Sequence, residues 1–443
     1  MHGERSAAVA GLLALAVVLA GCGAPIAQSP QATATPGESP PTPEQSTPTD
    51  DPGETGTNGS AESQRRAINV TNGSLSVDPN RVFDRVQSLQ GTDVERPRVV
   101  QVFNSIAGFE NQSSGVAVER NRDFYRLAGM TSGSVNVTES VTRQKNGYVT
   151  GFGSIVLYVG ANASTVDELL LVAHEFTHYL QLRTGRQERL SKNIGGISLT
   201  DKRYVLRSVV EGGAVVTTNA YLAAYANTSA TNSEMYTGVQ AALPDGHIAK
   251  YENGKYVNGD AYMDWRAESP ADLDAVYADP PQTSEQVLHQ LAPDVEPPAP
   301  LAVTVETGEA RVAAGRDRMG EAFVRTALES AVGEQRAATA AAGWGNDSLH
   351  FLRPADGEGE TAYAWVLRWD DAANQTEFQT AYRESLAQRG TETGGVWALN
   401  DSDRSATLAA PTDRTSVVVF GPDSLVRNVS ATGRNGDITV STP

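Results

Sequence analysis

The chain has 443 residues, a formal net charge of −18 and a hydrophobic fraction of 40%. This length allows one large domain or two to three ordinary ones, and the apolar fraction is high enough for packed cores. The acidic balance, with 53 Asp and Glu against 35 Lys and Arg, argues against a nucleic-acid partner, because such proteins present a basic face.

Residues 1–22 have the pattern of a lipoprotein signal peptide. Arg5 precedes an apolar run over 7–20, which has the length of a signal-peptide core and is short for a stable membrane span. The run ends in Leu-Ala-Gly-Cys, which matches a lipobox, and Cys22 is the only cysteine of the chain. We therefore predict lipid attachment at Cys22. An ordinary signal peptide or an anchor helix is the alternative.

Residues 23–66 are predicted to be a disordered tether. They are rich in Pro, Ser, Thr and Gly and have almost no large apolar residues, so they cannot bury enough surface to fold. Asn-x-Ser/Thr sequons recur from Asn58 to Asn428, which fits an extracellular surface, although a Ser/Thr/Asn-rich composition also produces them by chance. We expect a lipid-anchored protein on the extracellular face of the membrane, attached through Cys22.

The folded part begins with a short series of predicted elements. Residues 78–90 and 121–127 have helical patterns, residues 97–103 have the pattern of a strand, and residues 147–159 that of a strand pair. The strand pair comes directly before the next helix, and a free strand edge there can pair with an extended peptide.

The segment 174–178 reads His-Glu-Phe-Thr-His, which is the His-Glu-x-x-His pattern of zinc peptidases. Residues four apart lie on one helical face, so His174 and His178 can bind one metal ion. Zinc accepts imidazole nitrogen, and a catalytic zinc site uses three protein ligands and a water. Glu175 would lie beside that water as the general base.

The surrounding sequence predicts that this motif lies in a helix over 165–183. Thr165 and Glu168 have the spacing of a capping box, with Ser164 as an alternative cap. Gly185 is a natural helix stop.

A second helix is predicted over 201–225, with Thr200 or Ser198 as its cap. The glycine pair 212–213 costs roughly 1 kcal/mol per residue against alanine, which indicates that another element approaches closely there. Glu211 is a lone acid in an apolar stretch. A buried glutamate needs a partner, and a metal ion is such a partner.

Glu211 is therefore the preferred third ligand, with His247 and His289 as alternatives. The other zinc-peptidase patterns fit less well. A metzincin would have glycine and histidine where this chain has Gln181 and Thr184, and the Gly-Thr-x-Asp pattern of an aspzincin is absent from the downstream sequence.

The His-Glu-Phe-Thr-His motif followed by Glu-Gly-Gly-Ala resembles the gluzincins, and more closely a group of neutral zinc metallopeptidase-like lipoproteins of bacteria and haloarchaea. Two further segments carry this resemblance: Tyr-Val-Asn-Gly at 256–259 and Tyr-Ala-Asp-Pro-Pro-Gln-Thr-Ser-Glu-Gln-Val-Leu-His at 277–289. It covers about residues 80–295. The acidic, arginine-rich and lysine-poor composition also resembles haloarchaeal proteins, with a high-GC bacterial lineage as the alternative.

The resemblance implies a zincin-like domain over 67–300, built from a small mixed sheet, an active-site helix and a glutamate helix. It also implies that His174, His178 and Glu211 bind Zn2+. Glu175 would then be the general base for peptide-bond hydrolysis by a zinc-activated water.

A transition-state-stabilising residue carries over less directly. Tyr256 and His289 are the catalytic candidates for this role. Their ordinary alternatives are a packed aromatic ring for Tyr256 and a hydrogen-bonded structural histidine for His289.

The chain departs from the gluzincin pattern behind the histidines. Many gluzincins place an aspartate three or four residues after the third ligand, where it orients a metal-binding histidine. Here these positions are Ala214 and Val215. The orienting groups must come from elsewhere, such as Asn219 or Thr217, and their loss can reduce affinity or activity about 10- to 100-fold.

Residues 301–443 are predicted to form a smaller α+β domain after a Pro- and Ala-rich joint at 290–304. Helices near 317–332 and 372–388 alternate with strands, and no catalytic constellation is evident among them. The predicted fold class is α+β for both regions.

These patterns together predict a surface-anchored zinc metallopeptidase that acts on a peptide or protein substrate. The alternative is a non-enzymatic cell-surface lipoprotein that keeps a zincin-like zinc or binding site. The intact Glu175 favours the enzyme, and the missing aspartate favours the alternative.

Overall fold

The computed structural model describes residues 66–105, 108–109, 122–133, 135, 145–196 and 198–443. These residues form an α+β fold. The helices are α1 (Pro79–Leu89), α2 (Arg122–Ala128), α3 (Thr165–Arg183), α4 (Arg186–Asn193), α5 (Thr200–Tyr225), α6 (Asn232–Ala242), α7 (Ile248–Arg266), α8 (Leu273–Ala278), α9 (Ser284–Leu288), α10 (Glu321–Val332), α11 (Glu334–Ala341), α12 (Ala372–Arg389) and α13 (Asp423–Val426). The strands are β1 (Asn69–Thr71), β2 (Val99–Phe103), β3 (Lys145–Val149), β4 (Ile155–Val159), β5 (Ala302–Glu306), β6 (Arg311–Asp317), β7 (Trp344–Pro354), β8 (Ala362–Trp369), β9 (Gly390–Thr393), β10 (Val396–Leu399), β11 (Ser405–Thr412), β12 (Thr415–Gly421), β13 (Ser430–Arg434) and β14 (Asp437–Ser441).

The predicted signal peptide, the lipidated Cys22 and the tether as far as residue 65 lie outside the described residues. Among the residues that are described, no helix is both long enough and apolar enough to span a membrane.

The first sheet has the strand order β1-β2-β4-β3. Strands β1, β2 and β4 are parallel, and β3 pairs antiparallel with β4 at one edge. Helices α1 and α3 pack on this sheet through a shared apolar core that includes Phe83, Leu157 and Phe176. The edge strand β3 therefore lies directly beside α3, the helix that carries the histidine motif.

Helices α5 and α7 pack closely because both have glycine at the crossing. A Cβ atom at Gly212 would overlap with the carbonyl of Gly259, and one at Gly259 would overlap with the carbonyl of Ser208. A Cβ atom at Gly213 would overlap with the hydroxyl of Tyr277. The close approach predicted from the glycine pair is confirmed.

The C-terminal region contains a seven-stranded antiparallel sheet in the order β6-β7-β8-β12-β11-β10-β9. Helices α10 to α12 cover one face, where Trp365 and Phe378 are fully buried. The other face packs on a three-stranded sheet, β13-β14-β5, through residues such as Val366 and Val440.

One apolar core crosses the predicted boundary at residue 300. Tyr204 of α5 and Tyr251 of α7 belong to the same buried cluster as Phe323 of α10. The ring centroids of Tyr251 and Phe323 are 6.2 Å apart. The two regions therefore share buried surface, and the division at 300/301 stays a prediction.

The helix predicted over 165–183 is confirmed as α3, but its cap differs from the preferred prediction. Ser164, the alternative, forms the capping box with Asp167. Glu168 does not take part in this cap. Its Oε2 atom accepts hydrogen bonds from the backbone N–H and the hydroxyl of Ser76. This contact joins α3 to the segment before α1.

The helix predicted over 201–225 is confirmed as α5, but the predicted cap is wrong. The N-cap position is Leu199, and its side chain donates or accepts no capping hydrogen bond. The backbone N–H and the hydroxyl of Thr200 donate instead to the carboxylate of Asp317. A residue more than a hundred positions away in the chain thus satisfies this helix end, which no local pattern predicts.

Candidate metal centre

The two motif histidines lie one turn apart on α3 and face the same side. Their ring centroids are 4.7 Å apart. His174 is 5% exposed and His178 is fully buried. The helix holds both rings in place because its remaining faces are packed against the first sheet and against α5.

Glu211 of α5 meets the two rings at a single point. Its Oε2 atom is 3.4 Å from His174 Nε2 and 3.1 Å from His178 Nε2. One ligand atom from each of the three residues lies within 4.8 Å of the others, and all three side chains are buried. The predicted convergence of Glu211 on the histidines is thus present, and the three side chains together can hold a metal ion.

The other ring nitrogens face amide oxygens. His174 Nδ1 donates to Asn232 Oδ1 at 3.0 Å, and His178 Nδ1 donates to Gln181 Oε1 at 2.8 Å. The neutral ring carries one proton, and these bonds assign it to Nδ1. Each ring therefore presents the lone pair of Nε2 toward Glu211.

The orientation of Gln181 is determined by its own partners. Its Nε2 atom donates to the carbonyl of Val210 at 2.8 Å and to the hydroxyl of Tyr277 at 2.9 Å. The carbonyl of Val210 can only accept, so the NH2 group must face it and the amide oxygen points at His178. This explains part of the segment 277–289, because Tyr277 reaches the metal centre through Gln181.

The hydrogen bonds of the predicted orienting residues Asn219 and Thr217 go to groups other than the histidine rings. Asn219 lies one step further out, where its Oδ1 atom accepts a hydrogen bond from the backbone N–H of Asn232 at 2.7 Å. Thr217 donates to the carbonyl of Gly213 and accepts from Gln90. The amide side chains of Asn232 and Gln181 are the groups that face the histidine rings, and they bring no negative charge.

The electrostatics of the centre favour a cation between the three side chains. Burial lowers the pKa of His174, which favours the neutral ring. Burial alone would raise the pKa of Glu211, but the two neighbouring histidines outweigh it and hold that pKa below its usual range. An anionic carboxylate and two imidazole nitrogens then converge on one point, which favours a cation there.

Glu175 lies next to the triad and against the edge strand. A Cβ atom at Gly147 of β3 would lie 2.8 Å from Glu175 Oε1 and from its Cγ, so a larger residue there would displace the Glu175 side chain. Glu175 is 3% exposed. The backbone of β3 therefore runs past the carboxylate that the motif predicts as the general base.

Tyr256 packs beside the centre on α7. Its ring centroid is 6.3 Å from that of His174 and 4.2 Å from that of Tyr236, with which it stacks. The structure thus puts Tyr256 near the predicted metal ligands, in a helix rather than a loop. Tyr236 lies on α6, one turn after Asn232, so α6 covers this side of the centre.

His289 and His247 are not part of the triad. His289 Nε2 forms an ion pair with Glu321 at 3.0 Å, and this contact raises the pKa of His289. His247 caps α7, where Nδ1 accepts a hydrogen bond from the backbone N–H of Ala249. These contacts give no support to His289 as a catalytic residue or to either histidine as the third ligand.

Sequence reasoning missed four residues around the triad. Gln181, Asn232, Tyr236 and Arg207 were not singled out as functional. Two of them lie at helical spacings from known residues: Gln181 is three positions after His178, and Arg207 is four positions before Glu211. Asn232 and Tyr236 carry no such signal, because α6 reaches the centre only through the tertiary fold.

Comparison with known proteins gave one match. Residues 310–430 match a family described as a domain of unknown function (DUF8575). This match covers β6 to α13, ends at the first residue of β13 and does not include the triad. No curated protein and no solved structure showed a significant similarity to the chain.

Proposed function

We propose that the protein is a zinc-dependent metallopeptidase of gluzincin type, anchored at the cell surface through Cys22. The observation that carries this proposal is the convergence of His174, His178 and Glu211 in a buried centre with Glu175 beside it. The mixed sheet with an antiparallel edge strand, the motif helix and the glutamate helix are consistent with a zincin-like architecture.

The donor set fits zinc. Ligands bound tetrahedrally at about 2.0–2.1 Å lie about 3.3 Å from one another. The two distances from Glu211 Oε2 to the histidine nitrogens are 3.4 and 3.1 Å. When bound, zinc would polarise a carbonyl group and lower the pKa of water.

The residues of the chain have separate tasks in hydrolysis. Glu175 takes a proton from the attacking water and delivers it to the leaving amine. The edge strand β3 binds an extended peptide through its backbone and thereby places the scissile bond next to Glu175. Asn232 and Gln181 hold the histidine rings in the orientation that leaves Nε2 available.

The test compares zinc content with peptide hydrolysis. The full chain is expected to hold about one zinc ion, and Glu175→Gln is expected to keep the metal while hydrolysis of a peptide mixture falls by about 10²- to 10⁴-fold. Glu168→Gln is the matched control, because it removes a buried carboxylate from the same helix but away from the triad. Unchanged hydrolysis by Glu175→Gln would remove this residue as the base.

A second candidate function is a non-enzymatic surface protein with a zinc or binding site. It is favoured by the neutral Asn232 and Gln181, which do less than a carboxylate to increase the basicity of the histidines. This function predicts that chelation lowers the thermal stability of the chain while no peptide is hydrolysed at any zinc concentration.

A further inference from the structure

Most side chains that contact the triad are buried, and the exceptions mark the side from which a substrate can approach. Three neighbours of the triad, Asn232, Gln181 and Tyr256, are each at most 5% exposed. The side chain of Arg207 is 31% exposed, whereas that of its neighbour Glu211 is 1% exposed. The side chain of Arg207 therefore extends from the triad to the solvent.

The guanidinium of Arg207 lies at the metal ligand itself. Its Nη1 atom is 3.7 Å from Glu211 Oε1, across one turn of α5. This separation is longer than a hydrogen bond, and Glu211 Oε1 accepts no hydrogen bond from the residues that the structure describes. Arg207 thus does little to orient Glu211.

A positive charge at this position also does not help a metal to bind. It repels a divalent cation held by Glu211 and partly neutralises the charge of that ligand. The exposed part of this guanidinium can instead bind an anion that arrives with the substrate. Guanidinium is well suited to this task, because its N–H groups form a planar fork that matches a carboxylate.

The length of one peptide residue then indicates which carboxylate of a substrate can bind at Arg207. One extended residue spans about 3.3–3.6 Å, which is comparable to the separation between Arg207 and Glu211. A carboxylate at Arg207 would therefore present the adjacent peptide bond, and not a distant one, to the triad.

We infer that Arg207 binds the C-terminal carboxylate of the substrate, so that the centre removes single residues from the C-terminus of peptides. The inference rests on the proposed hydrolytic function. In the reaction the last C–N bond breaks, the water oxygen and one proton stay on the new C-terminal carboxyl group, and the other proton goes to the amine of the released amino acid. Arg207 is then a substrate-binding residue that determines specificity.

The experiment measures binding, so that it does not depend on turnover. The zinc-loaded Glu175→Gln chain is titrated with N-acetyl-Ala-Ala-Ala-Phe, either with a free C-terminal carboxylate or as the C-terminal amide. We expect the free acid to bind about 10- to 100-fold more tightly than the amide, which is the range for a charge-assisted hydrogen-bonded pair. Adding Arg207→Gln should remove this preference, and Arg207→Lys should retain part of it.

Arg203→Gln is the matched control, because Arg203 is one turn earlier on α5 and donates to Ser198 and Thr200 at the helix start. It should keep the preference for the free acid. Equal binding of the two peptides, binding of neither peptide, or a preference that survives Arg207→Gln would each overturn the inference. So would loss of zinc from Arg207→Gln, since Arg207 would then serve the metal ligand. A clear preference in a chain that hydrolyses nothing would overturn only the proposed function.

Discussion

Glu211 and Glu285 are both almost fully buried glutamates, yet their surroundings assign them opposite charge states. Glu211 faces two imidazole rings, which outweigh the effect of burial and lower its pKa. Glu285 of α9 is raised to a pKa of about 9 by burial and by nearby acids, which are Glu321, Asp370, Glu296 and Asp201. Burial of an acid therefore does not by itself indicate a metal site. The groups that its oxygens meet decide this.

The buried acids around Glu285 are stabilised by ion pairs with basic side chains. Glu321 is fully buried and pairs with Arg325 at 2.7 Å and with His289 at 3.0 Å. Asp201 is paired with Arg318 at 3.1 Å. Guanidinium groups pair with these acids at 2.7–3.1 Å, whereas the nearest groups to the Glu211 carboxylate are two imidazole nitrogens at 3.1 and 3.4 Å, with the guanidinium of Arg207 further away at 3.7 Å. The carboxylate of Glu211 can therefore still bind a cation.

The largest effect is expected when the charge of Glu211, the acid that faces the histidines, is removed. Glu211→Gln replaces the anionic ligand by a neutral amide, so we expect the zinc content to fall from about one per chain to near zero. The affinity should fall by more than the roughly 10- to 100-fold that loss of an outer partner costs. Metal analysis of the purified full chain after dialysis measures this.

The matched control for Glu211→Gln is Glu321→Gln, which changes an equally buried acid of the other group. It should keep the metal but lower the free energy of unfolding by about 3 kcal/mol, because His289 and Arg325 lose their shared partner. If both variants lost the metal to the same extent, the difference between the two groups of acids would be only one of general stability.

A smaller effect is expected from the amide that orients His178. Gln181→Leu removes the acceptor of the Nδ1–H group and should weaken zinc binding by about 10- to 100-fold in a chelator competition. Gln286→Leu is the comparison variant, since Gln286 is also fully buried but donates to the backbone of Pro293 and Val295. Equal zinc affinities of the two variants would contradict the role of Gln181.

The smallest effect concerns the pH dependence of Glu285. Its folded pKa of about 9 lies above the usual value of 4.5, so folding takes up a proton between these values and stability falls as pH rises through this window. Glu285→Gln should therefore stabilise the protein by about 1–2 kcal/mol at pH 8 and have almost no effect at pH 4. Denaturant unfolding at both pH values measures the difference. A destabilised variant at pH 8 would show that Glu285 is charged in the folded protein.

The candidate site was largely predictable where it depends on local spacing. The four-residue spacing of His174 and His178 requires only one helix, and the apolar context of Glu211 pointed to a buried acid with a partner. The catalytic role of His289 has no such local support and stays a prediction. Its place at the end of the 277–289 segment suggested catalysis, but a buried acid on α10 holds its ring instead.

The helices of the fold were likewise predictable only where the local sequence has a clear apolar pattern. Helices α3 and α5 have long apolar faces and were predicted nearly to the residue. Helices α6 and α7 were not, because α7 combines glycine, asparagine, lysine and tyrosine without a clear apolar stripe. Its glycine at 259 is explained only by the backbone of α5 that packs against it.

The sequence alone determined the residue types of the triad, the helix that spaces the two histidines, and the α+β class, because each of these follows from patterns among near neighbours in the chain. The tertiary structure decided which side chains surround them. Asn232, Gln181, Tyr236 and Arg207 act at the centre because α5, α6 and α7 cross the motif helix closely. Such crossings are set by packing between distant segments, and no local pattern records them.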